Sequence, residues 1–161
     1  MYAKRFSINI FIETGTYLGS TVEAVKNKFE EIYSIELNKG LYLKAKQKFI
    51  KYKHINIILG DSSKKLPKIL SNINSPCLFW LDAHYSGGNT SKTDVQTPIT
   101  KELQCILNHP NKNHVILIDD SHEFTGKNDY PTVTELKELI NQYEEKILIV
   151  KEDIMRIYNK Q

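Results

Sequence analysis

Ile10-Phe11-Ile12-Glu13-Thr14-Gly15-Thr16-Tyr17-Leu18-Gly19-Ser20-Thr21 reads as an apolar strand that ends on an acid, turns through glycine and opens a helix. The apolar run bounded by a glycine turn is a strand signal, and Val22, Val25 and Phe29 then recur at helical spacing. Four more apolar runs end the same way: Ile32-Tyr33-Ser34-Ile35-Glu36, Ile55-Asn56-Ile57-Ile58-Leu59-Gly60-Asp61, Phe79-Trp80-Leu81-Asp82 and Ile116-Leu117-Ile118-Asp119-Asp120. Between them lie helical patterns: Leu41, Ala45, Phe49 and Tyr52; Leu66, Ile69, Leu70 and Ile73; Ile99, Leu103, Ile106 and Leu107; Val133, Leu136, Leu139, Ile140 and Tyr143. Strand and helix alternate, which predicts parallel strands with crossover helices covering both sheet faces. Near the end, Ile147-Leu148-Ile149-Val150 and Ile154-Met155-Arg156-Ile157-Tyr158 are separated only by Lys151-Glu152-Asp153. That gap is too short for a crossover helix and predicts an antiparallel hairpin at one edge. The expected fold is one α/β domain over residues 1–161, a three-layer sandwich around a seven-stranded, mostly parallel sheet with a C-terminal antiparallel hairpin. In such a sheet ligands bind outside the carboxyl ends of the strands, so the strand-terminal acids mark the functional edge.

Composition supports this class. The 161 residues are 40% hydrophobic, enough for a core. The net charge of +3 falls short of a nucleic-acid signature. Basic residues concentrate at Lys44, Lys46, Lys48, Lys51 and Lys53 and again at Lys64, Lys65 and Lys68, and read as solvated helix faces. Cys77 and Cys105 lack Cys-x-x-Cys spacing and read as reduced, packed thiols. No run approaches the roughly 20 apolar residues of a membrane span, and Met1 to Ile12 carries no signal-peptide pattern. A cytoplasmic protein without a membrane partner is expected. Two stretches, Ala83 to Pro98 and Ser121 to Pro131, read as long loops leaving acidic strand ends, where function concentrates.

The first turn offers close backbone approach and unpaired helix N–H groups. It lacks the Gly-x-Gly-x-x-Gly of dinucleotide sites and the lysine of a P-loop. Glu13 there repels phosphate and favours an ammonium group. Glu36 stands about 20 residues beyond Gly15, where an acid accepts from ribose hydroxyls. Asp61 and Ser62 could bond an adenine amino group, although a strand-terminal acid also serves as a helix N-cap. Together these residues describe a nucleoside site with a cationic amino-acid tail.

This layout resembles the class I S-adenosylmethionine-dependent methyltransferases, and the resemblance covers the whole chain. It implies a Rossmann-like fold, with S-adenosyl-L-methionine held by Glu13, Thr14, Gly15, Thr16, Tyr17, Gly19, Ser20, Thr21, Glu36, Leu37, Asp61, Ser62 and Asp82. Asp82, Asp119 and Asp120 resemble the metal triad of the macrocin-type sugar O-methyltransferases. That implies a divalent ion, Mg2+, binding a small-molecule acceptor such as a sugar. Charge supports a cation independently, since two unit charges about 6 Å apart repel by about 3 kcal/mol at an effective dielectric of 20. All-oxygen ligands suit such a hard ion. His84, in Asp82-Ala83-His84, is the candidate base beside Asp82, although the sugar methyltransferases tend to carry an acid at that position. His122, at the matched offset from Asp120, is read first as an exposed or structural loop residue, with a substrate contact or a metal ligand as the alternatives.

Two other functional classes fit parts of the pattern. A metal-dependent hydrolase would use the Asp and His cluster but leaves Glu36 and Asp61 without a role. A cofactor-binding module without its own catalysis is the other, because little chain remains for an acceptor pocket beyond Ala83 to Pro98 or a second subunit of a homo-oligomer. A nucleic-acid acceptor is disfavoured, because Leu81-Asp82-Ala83-His84-Tyr85 lacks the Pro-Pro-aromatic grip on a flipped base.

Overall fold

The computed structural model describes residues 2–82 and 97–160. Its seven strands are β1 (Ile10–Thr14), β2 (Glu31–Glu36), β3 (Ile55–Leu59), β4 (Cys77–Leu81), β5 (Val115–Ile118), β6 (Lys146–Lys151) and β7 (Ile154–Asn159). They form one sheet in the order β3-β2-β1-β4-β5-β7-β6. β1 to β5 run parallel, and β7 is antiparallel to both β5 and β6. The chain steps outward from β1 to β3 and then returns to place β4 on the other side of β1. This reversal puts the topological switch point at the carboxyl ends of β1 and β4.

Among the described residues six helices cover the sheet: α1 (Tyr2–Arg5), α2 (Ser20–Val25), α3 (Lys39–Lys48), α4 (Ser62–Leu70), α5 (Ile99–Leu107) and α6 (Val133–Asn141). Strand alternation sorts them into two layers. Phe11, Ile32, Ile55, Leu78 and Val115 face one way and pack with Ala3, Val22 and Phe49, from α1, α2 and the end of α3. Ile12, Ile35, Phe79, Ile116 and Ile157 face the other way and pack with Leu66, Leu103 and Leu136 of α4, α5 and α6. The expected α/β sandwich and its terminal hairpin are both present.

Local chemistry sets the element ends. Asn38 caps α3 by accepting from Gly40 N at 2.8 Å and Leu41 N at 3.1 Å. Thr132 and Glu135 form a reciprocal capping box at the start of α6. In the β6–β7 hairpin, Glu152 (φ 51°) and Asp153 (φ 59°) both adopt left-handed conformations, the geometry of a tight two-residue hairpin turn. The structure departs from the periodicity in two places. α2 stops at Val25, a turn before Phe29, whose ring instead leaves the helix to pack 5.2 Å from Phe11. The segment Ser121 to Pro131, read as a loop, contains a 3-10 turn at Ser121–Glu123 and a bridge between Thr125 and Thr132.

The cysteines are unpaired. Among the described residues no helix is long and apolar enough to cross a membrane. Phe79, wholly buried in β4 with its ring 5.3 Å from His114, anchors the larger core cluster. Phe79→Ala is expected to lower the unfolding free energy by about 3 to 5 kcal/mol in urea denaturation monitored by circular dichroism.

Candidate active site at the carboxyl edge of the sheet

The turn after β1 is fixed by the neighbouring strand. Gly15 N and Thr16 N both donate to Ile35 O, at 3.0 and 3.3 Å, and Gly19 N donates to Thr16 O at 2.8 Å. Gly15 (φ 89°), Tyr17 (φ 47°) and Gly19 (φ 69°) take left-handed conformations. Gly19 cannot be replaced without cost, since a Cβ there would lie 2.7 Å from the Phe49 ring. Ser20 and Thr21 open α2, and Tyr17 is left more than half exposed.

Two acids lie under this turn on the α1, α2 and α3 side. Glu13 is almost fully buried and accepts from the Ser34 hydroxyl, which is itself bonded to Thr16 Oγ1 at 2.6 Å. Burial pushes the Glu13 carboxyl up to about 7; hydroxyls of Ser34 and Thr21 oppose this, and the charges of Asp82 and Glu36 add to it. Glu36 accepts from Tyr17 N through one oxygen and Asn38 N through the other, each at 2.8 Å. Leu37, between Glu36 and Asn38, is half-buried.

Asp61 and Ser62 sit at the start of α4. Asp61 acts as the helix N-cap, accepting from Ser63 N at 2.9 Å and Ser63 Oγ at 2.7 Å, with Lys64 Nζ 3.5 Å from its other oxygen. Ser62 is buried and turns inward toward Glu102 of α5. Sequence reasoning missed Glu102, which is 1% exposed. Its Oε1 and Thr14 Oγ1 are both buried without a hydrogen bond of ordinary geometry. Burial raises the Glu102 carboxyl to about 7, the hydroxyls of Ser62 and Thr14 pull it down, and Asp61 raises it further. One signal was available: position 102 lies within the apolar stripe of Ile99, Leu103 and Ile106, where an acid must be buried.

The later acids follow adjacent strands. Asp82 N donates to Thr14 O at 3.0 Å and Asp119 N to Leu81 O at 3.1 Å, so both extend the ladder one step past β4 and β5. Burial raises the Asp119 carboxyl; the Asp120 N–H lowers it, and the charges of Asp82, Asp120 and Asp153 add to the rise. Asp120 turns the chain with φ 53°. His84 lies outside the described residues, as does the rest of 83–96.

Beyond Asp120 the structure brings Asp153, absent from the sequence reading, to Asp120 and His122. Asp120, His122 and Asp153 present ligand-type atoms within 4.8 Å of one another. His122 is exposed, as expected, but its Nδ1 lies 2.6 Å from Asp153 Oδ2. Asp153 raises the His122 pKa through this hydrogen bond. Asp153 also accepts from Ser121 Oγ and His122 N, both at 2.9 Å, tying the hairpin turn to the loop after β5. Thirty residues of sequence separate these partners, and no local pattern announces the contact.

No protein-family model and no curated protein matches the chain. Solved structures do resemble it. A Podospora anserina methyltransferase bound to S-adenosylhomocysteine matches 99% of this chain and 75% of its own at TM-score 0.69 and 16% identity. The N-methyltransferase NodS of Bradyrhizobium japonicum matches 99% of this chain and 93% of its own, at TM-score 0.60 and 13% identity. An rRNA methylase of Streptococcus thermophilus matches 96% and 88%, at TM-score 0.57 and 12% identity. The shared feature is the Rossmann-like methyltransferase fold.

Glu13 gives a pH test of this buried edge. Its folded pKa of about 7 exceeds the ordinary 4.5, so its contribution to stability is present below pH 4.5 and is lost as pH rises to 7. Glu13→Gln keeps an acceptor for Ser34 and removes the charge. The stability of Glu13→Gln relative to wild type, from denaturant unfolding of the ligand-free protein, is expected to improve between pH 5 and pH 8.

Proposed function

We propose that this protein is an S-adenosylmethionine-dependent methyltransferase that O-methylates a hydroxyl of a sugar or small polyhydroxylated metabolite with a divalent metal ion, Mg2+. The observation that carries the cofactor reading is Glu13, a buried carboxyl held near neutrality beneath a pinned glycine turn. A cationic ligand group is what offsets the cost of ionising such an acid. The fold shared with methyltransferases, one of them bound to S-adenosylhomocysteine, supports the same reading.

Glu13 and the Thr14 to Thr21 turn would hold the amino-acid end of the cofactor. Glu36 and Leu37 would meet the ribose, and Asp61 and Ser62 the adenine. Both Glu36 oxygens already accept a backbone N–H, yet each carboxylate oxygen retains a second lone pair for a ribose hydroxyl. When bound, S-adenosylmethionine supplies an electrophilic methyl group and Mg2+ a Lewis acid that acidifies a hydroxyl. Asp82, Asp119 and Asp120 would hold the ion through oxygen donors at the ends of β4 and β5. His84, two residues past Asp82, would remove the acceptor proton, and alignment of the acceptor with the methyl group would supply most of the rate.

The Asp120, His122 and Asp153 group favours a second reading, a metal-dependent hydrolase. Calorimetry separates the two. Titration with S-adenosylhomocysteine is expected to show one-to-one binding, weakened about 10- to 100-fold by Glu36→Gln through loss of charge-assisted hydrogen bonds. No binding heat overturns the cofactor assignment. In transfer assays against sugars and polyhydroxylated metabolites, Asp120→Asn is expected to abolish turnover while leaving S-adenosylhomocysteine affinity unchanged. A chelator is expected to stop the reaction and Mg2+ to restore it; full activity in chelator overturns the metal assignment.

A further inference from the structure

The solvent face of α3 has a composition that neither the fold nor the proposed reaction requires. From Leu37 to Gly60 the chain carries six lysines and no acid, leaving 16 basic and 19 acidic residues elsewhere. The positive charge of the protein is therefore concentrated on this segment. α3 buries Leu41 and Ala45, with Phe49 following at its C-cap. Its last turn is continued by Phe49 N to Ala45 O at 3.0 Å and Ile50 N to Gln47 O at 3.5 Å.

Two large aliphatic side chains are exposed along this segment. Leu43 is 54% exposed and Ile50 is 66% exposed. Leu43 lies on the side of α3 away from Leu41 and Ala45, and Ile50 is exposed in the turn that follows the C-cap Phe49. Helical spacing sets Lys39 and Lys46 on one flank of Leu43 and Lys44 on the other, and Lys51 follows Ile50 in the exposed turn. Among the described residues none of these four lysines lies within ion-pair distance of a carboxylate. Lys48 is engaged differently, donating to Leu18 O at 3.2 Å and Gly19 O at 3.4 Å, which joins the helix end to a turn where Tyr17 and Leu18 are also exposed.

We propose that this face docks on an anionic lipid surface. An aliphatic apex flanked on both sides by lysines is complementary to a layer of negative headgroups above acyl chains: the apex enters the apolar boundary and the lysines remain among the headgroups. A polynucleotide would use the lysines but stack on aromatic rings, whereas the apex side chains Leu43 and Ile50 are aliphatic and the Tyr42 ring is taken by Lys46, whose Nζ donates to its hydroxyl at 2.9 Å. A second copy would bring like-charged faces together. The contact is peripheral, needs no membrane span and does not depend on the proposed reaction.

Co-sedimentation with vesicles of phosphatidylcholine, alone or mixed with phosphatidylglycerol, tests this. Binding is expected only to the anionic vesicles and is expected to weaken with added salt. Lys44→Gln is expected to weaken it about fivefold, as one juxtamembrane lysine does, and Ile50→Ser about tenfold through the lost apolar insertion. Both positions are exposed, and unchanged thermal melts will verify folding. Absence of binding, equal binding to neutral vesicles, or insensitivity to Ile50→Ser overturns the proposal. So does binding of single-stranded RNA in place of vesicles, or an Ile50-dependent dimer in sedimentation velocity without vesicle binding.

Discussion

The Glu36 carboxylate bonds two turns at once. One oxygen takes Tyr17 N from the turn after β1 and the other takes Asn38 N at the start of α3. With Gly15 N and Thr16 N on Ile35 O, it fixes the backbone of the glycine turn against β2. Asn38 then caps α3 through its own side chain, so the acid also sets where that helix begins. An apolar residue at position 36 would leave two backbone donors without partners in a half-buried site.

That constraint explains how acids persist at a buried edge. Glu13 points to the same side as Glu36 and is reached by a short relay of hydroxyls from Thr16 through Ser34. Glu102 lies across the sheet beneath Thr14 and Ser62, also displaced toward neutrality by burial. The two carboxyls therefore flank the end of β1 from opposite faces. Each can be uncharged in the ligand-free protein near neutral pH, so the edge tolerates burial without an internal cation. On the proposed reading, a cofactor carrying positive charge favours ionisation of Glu13, the acid beneath its turn.

The fold was legible because each of the five parallel strands closes on or beside an acid and each crossover helix keeps its apolar spacing. The hairpin was legible because three residues cannot cross a sheet. α1 and the early end of α2 were not legible: Phe29 keeps the helical spacing while packing on Phe11 from outside the helix. In the site, Glu13 and Glu36 stood out as acids closing apolar runs. Asp61 shows the limit of that rule, because it caps α4 and could do so with no ligand at all. Asp153 was invisible because its partners, Ser121 and His122, come from a distant loop. The lysines of α3 were read as a solvated face, and only side-chain exposure reveals Leu43 and Ile50 among them.

The most direct measurement of the central claim is an amide NMR titration of the protein with S-adenosylhomocysteine. Saturable shift changes are expected, confined to Glu13 to Thr21, Glu36 to Asn38, Asp61 to Ser63, and Asp82. Unchanged spectra at saturating ligand, or changes that avoid the turn held by Glu36, would contradict it.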